Sequence, residues 1–265
     1  MKESPRADLS LTHRHRLPAP TYTARRCSHP MAAFKTSSDR RDLPAYTLGE
    51  AAHYLGFSQS TLRSWFAGMP YSHRGEARRF HAVIRPAATR PLALSFSNLV
   101  EAYVLTAIRR KHHIGLPTIR RALRFLAERF DSKRPLLEEQ FATRGAELFV
   151  ERLGKIINLS RHGQVEIAEL IHIYLTRVER DPKGLPVKLY PFTGTQPSPN
   201  QPRSVVIDPA VSFGRPVVVG TGIPTAVLAE QFKANDLPRD LAREYGVTEE
   251  AVWDAIRCEL DLQAA

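Results

Sequence analysis

Apolar residues between positions 46 and 70 recur at spacings of three and four in two short runs that a glycine separates. The first run predicts a helix that begins directly after Thr47, because Thr47 and Glu50 have the spacing of a capping box. Gly56 can adopt the positive φ that a tight turn requires, and Ser58 can cap a second helix. The residues predicted to be buried are Leu48, Ala51, Ala52, Leu55, Leu62, Trp65 and Phe66. The pattern therefore predicts a helix-turn-helix.

The chain after this motif has the pattern of a short β-hairpin. It runs from Tyr71 to His81 around Gly75, and it would form the wing of a winged helix-turn-helix. The outer face of the second helix carries short hydrogen-bonding side chains and one arginine, which is a set of groups suited to base edges and phosphates in a major groove. We therefore expect DNA binding by Ser58, Gln59, Ser60, Thr61 and Arg63 on the helix and by Arg74, Arg78 and Arg79 on the hairpin.

Two longer helices are predicted next. The apolar stripe of the first consists of Leu99, Val100, Tyr103, Val104, Ala107 and Ile108, and that of the second consists of Ile119, Leu123, Leu126 and Phe130. The outer face of the second helix carries Arg120, Arg121, Arg124 and Arg129. A basic face of this kind is either only solvated or in contact with DNA phosphates, and both interpretations stay open.

Charge is divided unevenly along the chain. Residues 1–134 hold 24 Lys/Arg and 9 Asp/Glu, a net charge of +15, whereas residues 135–265 hold 14 and 18, a net charge of −4. A basic region around a helix-turn-helix is typical of a protein that binds a polyanion, because each neutralised phosphate releases condensed counterions. The acidic remainder is not expected to share that partner.

Residues 1–44 contain five prolines, scattered arginine and histidine, and no sustained hydrophobic period. This composition predicts a disordered basic arm, which is either a solvated tail or an additional contact to DNA phosphates. No apolar run approaches the roughly 18 residues of a membrane span, and the N-terminus lacks the apolar segment of a secretory signal. We therefore expect a cytoplasmic protein without a membrane partner.

The chemistry-bearing residues argue against an enzyme. Cys27 and Cys258 are too few for a disulfide framework or a cysteine-based zinc site, and no cofactor is expected. The sequence has no phosphate-binding glycine loop, no zincin motif and no nucleophile elbow.

Residues 135–192 are interpreted as a small α/β unit. Strands are predicted near Leu148–Val150, Lys155–Leu159 and Val187–Tyr190. A helix between the second and third of these strands has an apolar stripe of Ile167, Leu170, Ile171, Tyr174, Leu175 and Val178. That stripe is either the core of the unit or a dimer surface.

An uncharged, proline-containing segment at residues 193–202 predicts a semi-rigid linker. A chain that ends near Pro191 is therefore expected to fold without the residues that follow.

Residues 203–265 predict two short strands followed by three helices, which makes the chain mainly α, of α+β type. The spacing of Ala242, Gly246, Val247, Thr248 and Val252 repeats that of Ala52, Gly56, Phe57, Ser58 and Leu62, so the last two helices have a second helix-turn-helix shape. Its second helix is expected to expose Glu249, Glu250, Asp254 and Glu259, which phosphates would repel. This module should bind protein and not DNA.

Two segments resemble known families. The run TLGEAAHYLGFSQSTLRSWFAG, with the elements around it, makes residues 45–134 resemble the MerR-like winged helix-turn-helix. The run VVIDPAVSFGRPVVVGTGIPT and the helices after it resemble the bacterial domain of unknown function 433. That family commonly has arginine between the Thr and the Ile, where this chain has Gly222.

Chains that join these two domains resemble antitoxins of VapB type. The resemblance implies that the protein neutralises a PIN-domain ribonuclease toxin and represses its own promoter, with the toxin as co-repressor. Toxin contacts are expected at Arg215, Gly220, Thr221, Gly222, Ile223 and Pro224. An antitoxin arginine could also displace Mg²⁺ from the carboxylates of such a nuclease. The candidates for this role are Arg203, Arg215, Arg239, Arg243 and Arg257.

An alternative interpretation is a stand-alone transcription regulator whose C-terminal half senses a small molecule. In either case the protein is expected to bind double-stranded DNA as a homodimer on an inverted repeat, because a single winged helix covers too few base pairs for useful specificity.

Overall fold

The computed structural model describes residues 39–73, 75–112, 114–194 and 197–260. Most of the arm predicted to be disordered therefore lies outside the described residues. In the described part of the chain, no helix combines the length and the apolar character that crossing a lipid bilayer requires.

Residues 39–44 belong to the folded unit, which corrects the predicted boundary of the arm. Asp39 caps a short 3₁₀-helix at Arg40–Asp42. The Arg41 guanidinium lies 2.6 Å from the Asp39 carboxylate and 2.8 Å from that of Asp181. The pair with Asp181 connects the start of the described chain to a residue far along the sequence, a contact that composition alone does not reveal.

The predicted winged helix-turn-helix is confirmed. Strand β1 (Tyr46–Thr47) leads into helices α1 (Leu48–Leu55) and α2 (Gln59–Ala67), and strands β2 (Met69–His73) and β3 (Glu76–Phe80) form the hairpin. Both hydrogen bonds of the predicted capping box are present at the start of α1, and Gly56 has a φ of 61°. The Ser58 hydroxyl accepts a hydrogen bond from the Thr61 N–H, so α2 also begins where its cap predicts.

A small sheet that was not predicted from the sequence packs against α1 of this domain. It contains β1, β4 (Ala88–Thr89) and β5 (Leu92–Leu94), with β5 in the middle and both pairings antiparallel. Because Tyr46 pairs with Leu94, the residues directly before α1 are held against the residues directly before the helix that begins at Phe96.

Helices α3 (Phe96–His112) and α4 (Leu116–Phe130) confirm the two longer predicted helices. The six predicted apolar residues of α3 are all buried, and Ala102 and Leu105 are buried as well. The helix is enclosed on most sides because it packs against both α1 and α6 (Arg161–Leu175). It is the central helix of the main hydrophobic core.

The strands predicted near residues 148–150 and 155–159 are wrong. The first segment lies in helix α5 (Ala146–Ile157), which follows a π-helical turn at Phe141–Gly145. The second consists of the last three residues of α5 and the turn at Asn158 that ends the helix. The residues Ala146, Phe149, Val150 and Leu153 are buried at helical spacing. Short apolar runs do not distinguish a strand from a buried helix segment, and the longer period across both runs was the better signal.

The apolar stripe of α6 is part of the core. Its residues Ile167, Ile171, Tyr174 and Leu175 are buried in the same hydrophobic cluster as α3 and α5. The structure therefore supports the core interpretation over the dimer-surface interpretation for this face.

A four-stranded antiparallel sheet joins the middle of the chain to its C-terminal part. Its order is β6 (Val178–Arg180), β7 (Pro186–Leu189), β8 (Val205–Ile207) and β9 (Pro216–Val218). Strand β7 matches the strand predicted near residues 187–190. Ile207 of β8 pairs with Leu189 of β7 and is buried in the main core. The sheet therefore continues across the predicted linker.

The buried side chain of Arg177 holds that linker against the sheet. Arg177 is 1% exposed, and its guanidinium donates hydrogen bonds to the carbonyl oxygens of Tyr190, Pro191, Gln201 and Pro202 at 2.7 to 3.2 Å. Both ends of the segment are thereby held at one point. We refer to residues 190–202 as the strap.

The C-terminal module has the predicted helices, α7 (Thr225–Lys233), α8 (Pro238–Tyr245) and α9 (Glu249–Glu259), around a small core of its own. The predicted similarity to the first motif is confirmed in detail. Gly246 has a φ of 65°, and the Thr248 hydroxyl accepts from the third N–H of α9. An equivalent backbone hydrogen bond occurs in each turn. The Phe57 N–H donates to the Ala52 carbonyl oxygen at 2.9 Å, and the Val247 N–H donates to the Ala242 carbonyl oxygen at 3.0 Å.

Candidate nucleic-acid interface

The outer face of α2 presents the predicted polar side chains in unequal ways. Ser58 and Thr61 bond to each other at 2.8 Å and serve the helix cap. The side chain of Gln59 lies against α1, where a Cβ atom added to Gly49 would be 2.9 Å from its Nε2 atom. Ser60 and Arg63 are exposed. In the part of the chain that the structure describes, Arg63 has no ion-pair partner, so its guanidinium is available for a base or a phosphate.

The inner face of α2 fixes the helix in position. Leu62 and Trp65 are completely buried, and the Trp65 ring packs on Phe57 with ring centroids 5.6 Å apart. The Trp65 carbonyl oxygen accepts hydrogen bonds from the N–H groups of Val83 and Ile84 at 2.7 and 3.1 Å. The segment after the hairpin is thereby attached to the helix that would enter the groove.

The hairpin is built as a wing, but its two described arginines lie on opposite faces because side chains alternate along a strand. Arg78 is exposed and pairs with Glu76 at 3.0 Å. Arg79 donates instead to the carbonyl oxygen of Ala67 at the end of α2, at 2.9 Å. Arg79 therefore ties the wing to α2, and Arg78 is the better candidate for a phosphate contact. Arg74 lies outside the described residues.

The basic face of α4 is also divided. Arg121, Arg124 and Arg129 are exposed as predicted. Arg120 is half-buried and donates to the carbonyl oxygen of His81, directly after the wing. Burial, together with repulsion from Arg124, lowers the pKa of the Arg120 guanidinium. The prediction that Arg120 faces outward is therefore wrong, because it connects α4 to the wing.

The acidic residues of α9 are less exposed than predicted. Glu249 and Glu250 are exposed, but Asp254 is 4% exposed. Its carboxylate accepts from the Thr193 hydroxyl at 2.8 Å and from Arg257 at 2.6 Å. The carboxylate of Glu259 is partly buried against the hydroxyl of Thr225. The helical register turns these two acids toward the strap and α7, so the exposed negative charge is concentrated at the start of α9.

Arg215, predicted to contact a partner, forms an ion pair with Glu50 of α1. Partial burial raises the pKa of the Glu50 carboxyl, but bonds from the Thr47 N–H and from Arg215 outweigh it and hold the pKa below its ordinary value. Next to this pair, the Tyr46 hydroxyl donates to the carbonyl oxygen of Gly214 at 2.8 Å. The C-terminal module is therefore connected to the cap of α1, the first helix of the helix-turn-helix.

The other candidate arginines differ in accessibility. Arg203 donates to the Thr176 carbonyl oxygen at 2.8 Å and lies over the Tyr190 ring, and Arg257 pairs with Asp254. The side chains of Arg239 and Arg243, on α8, are 68% and 81% exposed. These two are the candidates that a partner could reach without breaking a short ion pair or a hydrogen bond to the backbone.

The predicted contact loop at residues 220–224 projects from the end of β9. Gly220 and Gly222 have φ values of 79° and 74°, which favour glycine, and both are exposed along with Thr221. The Thr221 hydroxyl donates to the Val218 carbonyl oxygen at 3.0 Å and accepts from the Ile223 N–H at 3.1 Å. The loop is thus ordered by its own hydrogen bonds, with Ile223 and Pro224 half-buried beneath it.

Sequence reasoning missed one surface feature, the turn at Ser212–Gly214. It carries an almost fully exposed phenylalanine, Phe213, between two strands of the C-terminal module. A signal was present, because a phenylalanine stands beside a glycine in a connection where polar residues are usual.

Comparisons with known proteins match two segments of the chain to protein families. Residues 44–123 match a family described as a putative DNA-binding HTH domain, and residues 205–257 match the protein family of unknown function DUF433. The chain is 29% identical over 234 residues to the protein named "Putative antitoxin VapB45" of Mycobacterium tuberculosis (strain ATCC 25618 / H37Rv), covering 82% of this chain and 94% of the relative.

The X-ray crystal structure of Rv2018 from Mycobacterium tuberculosis has a similar fold. It superposes with a TM-score of 0.59 at 24% sequence identity and covers 82% of this chain and 100% of that chain. The chain thus has a helix-turn-helix of DNA-binding type and is similar over most of its length to a protein named as an antitoxin.

Proposed function

We propose that this chain is the antitoxin of a two-gene module, in which it binds the module's promoter and neutralises a ribonuclease of the PIN-domain class. The observation that carries the proposal is the exposed polar face of α2, with an available Arg63, next to a wing and joined by packed contacts to a separate module. The similarity to a protein named as a putative antitoxin supports the same assignment.

In the DNA-binding half, α2 enters the major groove and the wing follows the backbone. Arg63 contacts a base or a phosphate near the centre of the site, and Arg78 contacts a phosphate at its edge. A homodimer reads an inverted repeat, because two-fold symmetry doubles the number of base pairs contacted. Binding at the promoter represses the module's own transcription.

In the partner-binding half, the C-terminal module contacts the nuclease. Residues 205–257 hold eight acidic and five basic residues, a net charge of −3, which disfavours DNA at this end. The exposed arginines Arg239 and Arg243 have the charge and fork geometry to pair with the carboxylates that hold Mg²⁺ in such a nuclease. Both roles of the chain are binding roles and require no catalysis.

The test combines two assays on the intact protein. Fluorescence anisotropy should detect binding to the DNA upstream of its gene, and co-expression should restore growth to cells that express the adjacent gene. Arg63→Ala should weaken DNA binding and leave protection intact, whereas Arg161→Ala, an exposed arginine at the start of α6, should change neither. A wild-type chain that neither binds this DNA nor protects would refute the proposal.

A regulator that senses a small molecule is the second candidate, and one cavity favours it. It has a volume of about 440 Å³ and lies between the Gly56 turn and the strap, with Tyr103, Tyr174, Phe192 and Arg257 in its walls. The aromatic walls suit a small aromatic acid, whose carboxylate would compete with Asp254 for the Arg257 guanidinium. If benzoate or a related acid raises the melting temperature and changes DNA affinity while the adjacent gene is harmless to cells, this candidate replaces the first.

A further inference from the structure

Phe213 is the most exposed large hydrophobic side chain among the described residues. It is 93% exposed, whereas the next, Val165, is 51% exposed. Single exposed apolar residues are common on protein surfaces, but a phenyl ring almost wholly in water is not what folding alone would favour. The folding of the free chain therefore does not explain why this ring is exposed, whereas contact with a partner would.

The backbone under the ring is held in an uncommon conformation. Ser212 and Phe213 have φ values of 47° and 55°, so two consecutive non-glycine residues are left-handed. This conformation is unfavourable for residues with a Cβ atom, and it persists only where the surroundings impose it. Strain of this kind is concentrated at sites that bind or react.

The turn is fixed from both sides. The N–H groups of Val211, Gly214 and Arg215 each donate to the carbonyl three residues earlier, at 2.9 to 3.0 Å. The Gly214 carbonyl oxygen accepts from the Tyr46 hydroxyl, and a Cβ atom added to Gly214 would lie 2.5 Å from the Tyr46 hydroxyl oxygen. The ring is thus presented by a rigid support, which lowers the entropy lost when a partner immobilises it.

We propose that Phe213 is the anchor of the surface by which this chain docks its protein partner, with the ring inserted into an apolar pocket of the nuclease. The proposal rests on the proposed function and names the residue at the centre of that contact. A projecting aromatic residue that fills a partner's pocket is the usual form of an interface hot spot.

The charge of the surrounding module argues against DNA as the occupant, because residues 205–257 have a net charge of −3. A second copy of this chain is the other candidate, and a two-fold contact would place the ring of each copy in a pocket of the other. The similarity to a protein named as a putative antitoxin favours the nuclease of the proposed function as the occupant. Sedimentation of Phe213→Ala distinguishes the two.

The experiment measures the affinity of the intact chain for the purified product of the adjacent gene by isothermal titration calorimetry. Phe213→Ala should raise Kd by about 30-fold or more, which corresponds to about 2 kcal/mol. Phe213→Tyr, which keeps the ring, and Leu237→Ala, a 47% exposed residue of the same module, should both stay within about threefold of the wild type. Phe213→Gly should bind as weakly as Phe213→Ala but melt at a higher temperature, because glycine accepts the left-handed conformation.

Each other outcome overturns a specific statement. If the wild-type chain does not bind the adjacent gene product, the proposed function fails. If the wild type binds and Phe213→Ala binds within threefold of it, the nuclease is not anchored at Phe213. If Phe213→Ala leaves that affinity unchanged and converts dimers to monomers in sedimentation, the ring contacts a second copy and the inference is wrong.

Discussion

Replacing Arg177 by methionine should destabilise the whole fold and not only the segment it contacts. The side chain is 1% exposed and lies at the junction of β6, β7 and the strap. Its guanidinium donates four hydrogen bonds to backbone carbonyl oxygens and lies 4.8 Å above the Phe192 ring. Methionine fills most of the volume but supplies no donor, so the four carbonyl oxygens lose their partner.

The expected loss follows from two opposing contributions. Hydrogen bonds from a charged donor each contribute roughly 1.5 to 3 kcal/mol, so four give about 6 to 12 kcal/mol. Burying the guanidinium costs several kcal/mol, which methionine does not incur. We therefore expect Arg177→Met to lower the free energy of unfolding by about 3 to 5 kcal/mol, a large part of the roughly 5 to 15 kcal/mol typical of a whole domain.

Urea denaturation followed by tryptophan fluorescence measures this loss, and Arg203→Met is the matched control. Arg203 also contacts the strap region, but it is exposed and makes a single hydrogen bond to Thr176, so its replacement should cost less than about 1 kcal/mol. Amide hydrogen exchange of Arg177→Met should increase first in the strap. A loss below about 1 kcal/mol for Arg177→Met would show that the buried bonds only balance the cost of burial.

Three further predictions concern the DNA-binding half. Arg63→Ala should weaken binding to the operator by roughly 1 to 3 kcal/mol and affect scrambled DNA less, and equal losses in anisotropy titrations would make Arg63 a phosphate contact. Arg78→Ala should reduce the slope of log K against log salt by about 1, whereas Arg79→Ala should mainly lower the melting temperature, because Arg79 holds the Ala67 carbonyl. The pKa of Glu50 is lowered in the folded state from 4.5, so its charge stabilises the fold above about pH 4.5, and this stability is lost as the pH falls through the folded pKa. The stability advantage of the wild type over Glu50→Gln in urea should therefore shrink in acid, and a constant difference would contradict the cited shift.

The winged helix-turn-helix was predictable because its signals are local. The capping box at Thr47 and Glu50 and the turn at Gly56 each depend on a few neighbouring residues, and the structure places them where the spacing predicts. The same holds for the second turn at Gly246. Local hydrogen bonding and glycine conformation decide these positions, so a few neighbouring residues are enough to predict them.

The errors and omissions involve contacts between distant parts of the chain. The burial of α5 between α4 and α6 decides its helical state, and two short apolar runs gave no hint of that packing. Neither Arg177 nor Arg215 has a sequence signal for its partners, since the acceptors of Arg177 are backbone carbonyls and Glu50 lies 165 residues before Arg215. Asp254 was expected to be exposed to solvent, because no pattern near it in the sequence indicates its contact with Thr193 of the strap.

The expected independence of a fragment ending near Pro191 must also be revised. Such a fragment would remove Ile207 from the main core and leave β7 without its partner strand. It would also remove two of the four carbonyl oxygens that accept from Arg177. The linker composition correctly indicates an uncharged connection, but composition does not show that both of its ends are bound to one buried cation.

The same connectivity has a consequence for function. Glu50 takes part in the capping box of α1 and in the ion pair with Arg215, which lies two residues after Phe213. A partner that binds Phe213 therefore lies beside a residue that helps to position the first helix of the DNA-binding motif. If the partner changes the geometry of the Arg215 pair, its binding free energy is coupled to that of DNA, and DNA must change partner affinity by the same factor. In the described part of the chain, the Tyr46 hydroxyl connects the helix-turn-helix to the C-terminal module, and Arg177 holds the strap between them. We therefore expect a conformational change on one side of these contacts to affect the other side.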